Sequence, residues 1–285
     1  MAVTLRTLTC LGPHGFHRLS YAEWAGPAEG RVTICLHGLS RNGRDFDRLA
    51  ERLSERGRVL APDMPGRGQS EWLPNPADYA FPTYFADVAA LIARSGAAEV
   101  DYVGTSMGGL IGMYLAAQPG TPIRRLVLND IGPVVPRTAT ERIGTYVGRV
   151  PEFDTVAEVE TYLREVQVGM GRLTDDDWRH LAEHGYRRLE NGKLALAYDP
   201  AIAAAFQVET PAVVDLWPFY DAVRCPTLVI HGALSDTLLA GTAQEMTRRG
   251  PGAQLYTVAD AGHAPALMDA AQIDAIERFL TAETP

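Results

Sequence analysis

The chain has 285 residues, 46% of them hydrophobic and 21% charged, a globular composition that argues against a disordered or fibrous chain. A net charge of −9 without any basic run disfavours nucleic acid and anionic membrane surfaces as partners. Lys193 is the only lysine; followed by Leu194 and preceded by Asn191-Gly192, it fits neither a phosphate-binding Gly-Lys-Ser/Thr loop nor a buried Schiff-base site.

Val3 to Thr9 and Phe16 to Trp24 alternate like an antiparallel pair, with Gly12-Pro13-His14-Gly15 as the turn. Short apolar runs follow at Val32 to Leu36, Val59 to Ala61, Val100 to Val103 and Ile123 to Leu128, the pattern of buried parallel strands. Helical patterns lie between them at about Asp45 to Glu55, Thr83 to Ser95 and Met107 to Gln118. This alternation predicts an α/β fold with a doubly wound sheet. From about Pro133 to Pro218 the reading changes to mostly helical and aromatic. Thr174 followed by Asp175-Asp176-Asp177 reads as a helix start, and Leu189 to Leu194 as a small hairpin. Strand–helix alternation then resumes from Pro226 to Leu280. The predicted organisation is a core of residues 1–133 and 219–285, interrupted by a helical cap over 134–218, a size of insert that tends to serve as a lid or binding element.

Cys10, Cys35 and Cys225 lie far apart with no CxxC spacing, so reduced thiols are expected rather than disulfides or zinc. His180 and His184 stand one helical turn apart, but no third metal ligand is evident nearby in the sequence, and no metal is expected. The first residues have no apolar signal region, and no run approaches ~18 apolar residues. The expectation is a cytoplasmic protein, monomeric or homodimeric, without cofactors.

Chemistry concentrates first at Gly104-Thr105-Ser106-Met107-Gly108, between a strand and a helix. A turn that sharp strains the serine backbone, demands small neighbours, and aims the hydroxyl at a helix N-terminus where negative charge is stabilised. A serine needs a base, and His263, in Asp260-Ala261-Gly262-His263, is the last of seven histidines. The base needs a carboxylate. Asp236, beyond the strand ending at Ile230, is the first candidate, and Asp130, beyond the strand ending at Leu128, is the alternative. In Leu36-His37-Gly38-Leu39-Ser40, Gly38 lets the backbone approach substrate, so the amides of Leu39 and Met107 are the expected oxyanion donors. Tyr146, Tyr198, Phe206, Trp217 and Phe219 are candidate pocket residues, and Arg41 and Arg44, just past the oxyanion loop, are candidate partners for a substrate carboxylate.

These motifs resemble the α/β-hydrolase superfamily, and within it the capped, carboxylesterase-like serine hydrolases. The resemblance rests on His37-Gly38, Asp63 to Ser70, Gly104 to Gly108, Ser235-Asp236 and Gly262-His263. It implies a mostly parallel eight-stranded sheet and acyl transfer from a small ester through a Ser106, His263 and carboxylate triad. Ser106 stands where dehalogenases and epoxide hydrolases of that superfamily carry an aspartate, and Leu39-Ser40 departs from the HGGG loop of some lipases. Lactonase, C–C bond hydrolase, perhydrolase and acyltransferase activities remain open on the same triad, as does a non-catalytic small-ligand receptor.

Overall fold

The structure, a computed structural model, describes residues 3–206 and 213–282. In chain order the elements are β1 (Val3–Gly12), β2 (Gly15–Trp24), β3 (Arg31–Leu36), α1 (Asp47–Leu53), β4 (Gly57–Asp63), α2 (Phe81–Ser95), β5 (Val100–Thr105), α3 (Met107–Ala116) and β6 (Ile123–Asn129). There follow β7 (Val134–Pro136), α4 (Arg137–Gly144), β8 (Glu152–Phe153), α5 (Val156–Val166), α6 (Asp175–His184), β9 (Tyr186–Arg188), β10 (Leu194–Leu196), β11 (Val213–Asp215) and α7 (Trp217–Ala222). The chain closes with β12 (Thr227–Gly232), α8 (Ala240–Met246), β13 (Gln254–Val258) and α9 (Ala270–Thr281).

Eight strands form one sheet in the order β1-β2-β4-β3-β5-β6-β12-β13. The pairs β1–β2 and β2–β4 are antiparallel, and every other pair is parallel. The side-chain period of two splits each central strand between two cores. On one face Ile34, Leu36, Tyr102, Leu126 and Leu128 pack with Val88 and Leu91 of α2 and Ile111 of α3. On the other, Cys35, Val103 and Val127 pack with Leu49 and Leu53 of α1 and Ile276 and Phe279 of α9. Both faces are covered, as the uninterrupted apolar runs require. No helix among the described residues is long and apolar enough to cross a membrane.

Between β6 and β12 no described residue adds a strand to this sheet. The insert is less purely helical than its composition suggests: β8, β10 and β9 form a small antiparallel sheet, and β7 pairs with β11. These strands are two or three residues long, too short to show a period in sequence. Thr174 caps α6 as expected, with its hydroxyl accepting from the Asp177 amide and the Asp177 carboxylate returning the bond to the Thr174 amide. A third apolar cluster, including Val159, Leu163, Trp178 and Leu181, holds α5 against α6 and reaches Met268 near α9.

Candidate active site

The turn between β5 and α3 holds Ser106 at φ 51° and ψ −115°, in the positive-φ region that side chains rarely adopt. Its neighbours explain how the strain is enforced. A Cβ on Gly104 would lie 2.4 Å from the Gly108 carbonyl oxygen, and one on Gly108 would lie 2.2 Å from the Leu36 carbonyl oxygen. Only glycine fits either place, and the resulting close packing of α3 on β3 and β5 drives the serine out of the turn.

Ser106 Oγ lies 2.8 Å from His263 Nε2, and His263 Nδ1 lies 2.8 Å from Asp130 Oδ2. With the proton on Nδ1, the imidazole donates to Asp130 and turns its Nε2 lone pair toward the serine hydroxyl. Asp130 is fully buried. Its Oδ1 accepts from the Gly232 amide at 2.8 Å, and its Oδ2 also accepts from the Ser235 hydroxyl at 2.6 Å. Three donors therefore compensate a charge that burial alone would make costly.

The carboxylate beside His263 is thus Asp130, and the expectation of Asp236 is corrected. Asp236 points outward and pairs with Arg142 of α4, at 2.6 and 2.9 Å. Its partial burial would raise its pKa, but the bond to and charge of Arg142 outweigh that and hold it below the usual carboxylate value. The turn after β12 contributes the residue next door instead: Ser235 orients Asp130.

Gly38 lies against the serine, its Cβ position 3.7 Å from Ser106 Cβ. Met107 is the first residue of α3 and Leu39 follows Gly38, and neither amide N–H donates to an acceptor among the described residues. His37 fixes this loop. Its Nε2 accepts from the Met64 amide at 2.9 Å while Nδ1 donates to the Gly38 carbonyl at 2.6 Å. Burial drives its pKa down to about 3, so it stays a neutral strut.

Arg67 is a supporting residue that the sequence reading passed over. It is fully buried, donates from Nε to the Leu39 carbonyl at 2.8 Å and from NH1 to the Pro65 carbonyl and Tyr84 hydroxyl, and brings NH2 to 3.8 Å from Met107 Sδ. One rigid fork thus touches both Leu39 and Met107. Its place in Gly66-Arg67-Gly68 was the available signal. Gly169 in the insert is a second omission: a Cβ there would lie 2.4 Å from the His263 carbonyl oxygen, and its own carbonyl accepts from the Gly262 amide at 2.9 Å. The insert therefore braces the histidine loop.

The cleft over Ser106 and His263 encloses about 660 Å³, open mouth included, and Arg41, Ile143, Tyr146, Gln167 and Met170 stand in its wall. Tyr146 and Arg41 both line the cleft. Tyr198 lines a neighbouring cavity rather than the cleft itself. Trp217 is absent from both linings; it packs on Tyr220 and under the Arg249 guanidinium, because α7 lies against the core. Phe219 is exposed beside Tyr114. The side chain of Phe206 lies outside the described part of the structure.

Two clusters away from the cleft bring ligand-type atoms within 4.8 Å of one another: Cys10, His17 and Asp87, and Asp47, His180 and His184. The second corrects the expectation that His180 and His184 have no third group nearby; α1 supplies it from far away in sequence. Arg44 already occupies the Asp47 carboxylate, at 2.5 Å, and His180 lies 3.3 Å from it.

The family description of the alpha/beta hydrolase fold matches residues 32–270. The chain is 44% identical over 283 residues to a 3-hydroxybutyrate-oligomer hydrolase of Cupriavidus necator, covering 95% of this chain and 96% of that one. It is 28% identical to a 2-(acetamidomethylene)succinate hydrolase of Mesorhizobium japonicum, covering 82% of each. The solved structure of an alpha/beta hydrolase from Novosphingobium aromaticivorans superposes with a TM-score of 0.88 at 38% identity, covering 98% of this chain and 99% of that one. The sheet order, the strained serine turn and these matches together establish that the chain belongs to the alpha/beta hydrolase fold family.

Proposed function

We propose that this chain is a carboxylic-ester hydrolase that works through Ser106, His263 and Asp130, with residues 134–218 as a cap over the cleft. The observation that carries this reading is the unbroken line of hydrogen bonds from Ser106 Oγ through both ring nitrogens of His263 to Asp130. Ser106 Oγ attacks the ester carbonyl while His263 Nε2 takes its proton, and Asp130 stabilises the imidazolium that forms. The amides of Leu39 and Met107 donate to the developing oxyanion, an arrangement in which one donor is typically worth about 2.7–4 kcal/mol. His263 returns the proton to the leaving alcohol. Water then enters by the same route and releases the acid, restoring the free serine.

The similarity to a 3-hydroxybutyrate-oligomer hydrolase suggests the substrate: a short linear ester of hydroxy acids. The test is labelling by a serine-directed fluorophosphonate, together with release of 3-hydroxybutyrate from its linear dimer, in wild type and Ser106→Ala. Both signals are expected in wild type and neither in the variant. Turnover that survives the alanine change removes Ser106 as nucleophile, and tight binding of the dimer without turnover favours a receptor.

A further inference from the structure

A second cavity of about 330 Å³, open mouth included, adjoins the cleft, and Arg41, Tyr146 and Gln167 stand in the wall that the two share. Arg41 is only 8% exposed, so its charge must be compensated within the fold. Asp45, which lines the cleft, takes two of the three guanidinium nitrogens, Nε at 2.8 Å and NH2 at 2.6 Å. The third, NH1, points the other way: it lies 3.5 Å from where a Cβ on Gly185 would stand, and Gly185 lines the second cavity. No acceptor among the described residues takes a hydrogen bond from NH1. Among the described residues, Arg41 is also the only charged one lining that cavity, and no carboxylate lines it. Tyr162 and Tyr198 add phenols; the Tyr198 hydroxyl donates to the Arg149 carbonyl at 3.2 Å, and that of Tyr162 has no partner among the described residues.

We infer that this second cavity is a carboxylate subsite, in which Arg41 NH1 and the Tyr162 hydroxyl receive the free acid of the substrate's alcohol portion. Asp45 holds the guanidinium fork in place, so NH1 is oriented before substrate arrives and little side-chain freedom is lost on binding. In a linear hydroxy-acid dimer the free carboxylate sits on the leaving alcohol, a short chain beyond the scissile carbonyl. With the carbonyl over Ser106, seating that acid in the second cavity has the leaving alcohol run toward the wall the two spaces share. The subsite selects esters that end in an acid over their neutral counterparts. Because Asp45 already balances the charge, the selectivity comes from directional donors rather than from a bare cation.

This inference deepens the hydrolase reading and rests on it for the position of the carbonyl, so its test is made independent of turnover. In the Ser106→Ala background, the linear 3-hydroxybutyrate dimer and its methyl ester are titrated calorimetrically against protein with Arg41 intact and with Arg41→Gln. The free acid is expected to bind at least tenfold more tightly than the methyl ester. That ratio should fall close to one in Arg41→Gln and several-fold in Tyr162→Phe, which leaves the Arg41–Asp45 pair untouched. Where Arg41→Gln fails to fold, Arg41→Met combined with Asp45→Asn removes both halves of the pair and carries the same comparison. Equal binding of acid and ester, no binding of either, or a ratio that survives loss of Arg41 overturns the subsite. Hydrolysis of p-nitrophenyl butyrate by protein with Ser106 intact reports separately on the catalytic reading. A protein that selects the acid but does not turn over ester sinks the hydrolase and leaves the subsite standing.

Discussion

Two parallel strands, β6 and β12, lie side by side and each delivers an aspartate to the same edge of the sheet, yet the two carboxylates have opposite surroundings. Asp130 leaves β6 at φ 51°, is fully buried, and is held by an amide, a hydroxyl and an imidazole. Asp236 leaves the turn after β12 with its side chain 46% exposed and meets an arginine from the insert. The lesson concerns solvation. A carboxylate steadies a neighbouring imidazolium best where water does not screen it, and it remains ionised there only if donors replace the lost water. Asp130 is shielded from water and held by three donors, whereas Asp236 also has donors, from Arg142, but stands half in solvent that screens its charge.

Substitutions can break or sharpen this contrast. Asp130→Asn removes the charge and invites the wrong imidazole tautomer, so kcat for p-nitrophenyl butyrate should fall by about 10³–10⁴-fold. The same change at 236 should alter it less than about threefold. The reverse ranking would transfer the role to Asp236. Gly232→Ala probes how tightly the buried side is packed, because its Cβ would lie 2.3 Å from the Gly262 carbonyl oxygen, beside the histidine. Overpacking of this kind costs about 1–3 kcal/mol, and denaturant unfolding should show that loss together with a fall in kcat. Ser235→Ala removes one donor from Asp130 and leaves the Gly232 amide in place. A hydrogen bond to a charged group is worth roughly 1.5–3 kcal/mol, so a tenfold or greater drop in kcat is expected, with KM little changed. An unaltered kcat would show that Ser235 does not orient the acid.

The smallest effect belongs to the outer pair. Exposed ion pairs contribute about 0–1 kcal/mol, so Asp236→Asn should shift stability by no more than that. Because Arg142 depresses the Asp236 pKa, any contribution is present above the unfolded-state carboxylate value and is lost as pH falls through the lower folded one. The difference in Tm between wild type and variant should therefore persist through neutral pH and shrink in acid. A difference that grows on acidification would contradict the pairing.

Much of the site was legible before folding was considered. The serine turn announces itself because close backbone approach admits only glycine at 104 and 108, a constraint written in residue identity. His263 was legible from its place between the last strand and the last helix. The choice of carboxylate was not, since both aspartates end adjacent strands and local pattern does not say which turn folds inward. Arg67 was hidden for a related reason: an arginine in a glycine-rich loop reads as solvated until three strand-end segments are seen to close over it.

By itself the sequence determined the two-faced sheet, the interruption after β6, the strained serine and the last histidine, because hydrophobic period and glycine placement act over a few residues. Tertiary structure alone decided which aspartate stands behind the histidine, that the insert braces the histidine loop through Gly169, and that the Arg41 fork divides its nitrogens between two cavities. Those outcomes depend on burial and on donors brought together from distant parts of the chain. Desolvation is a property of the assembled fold, not of any segment within it.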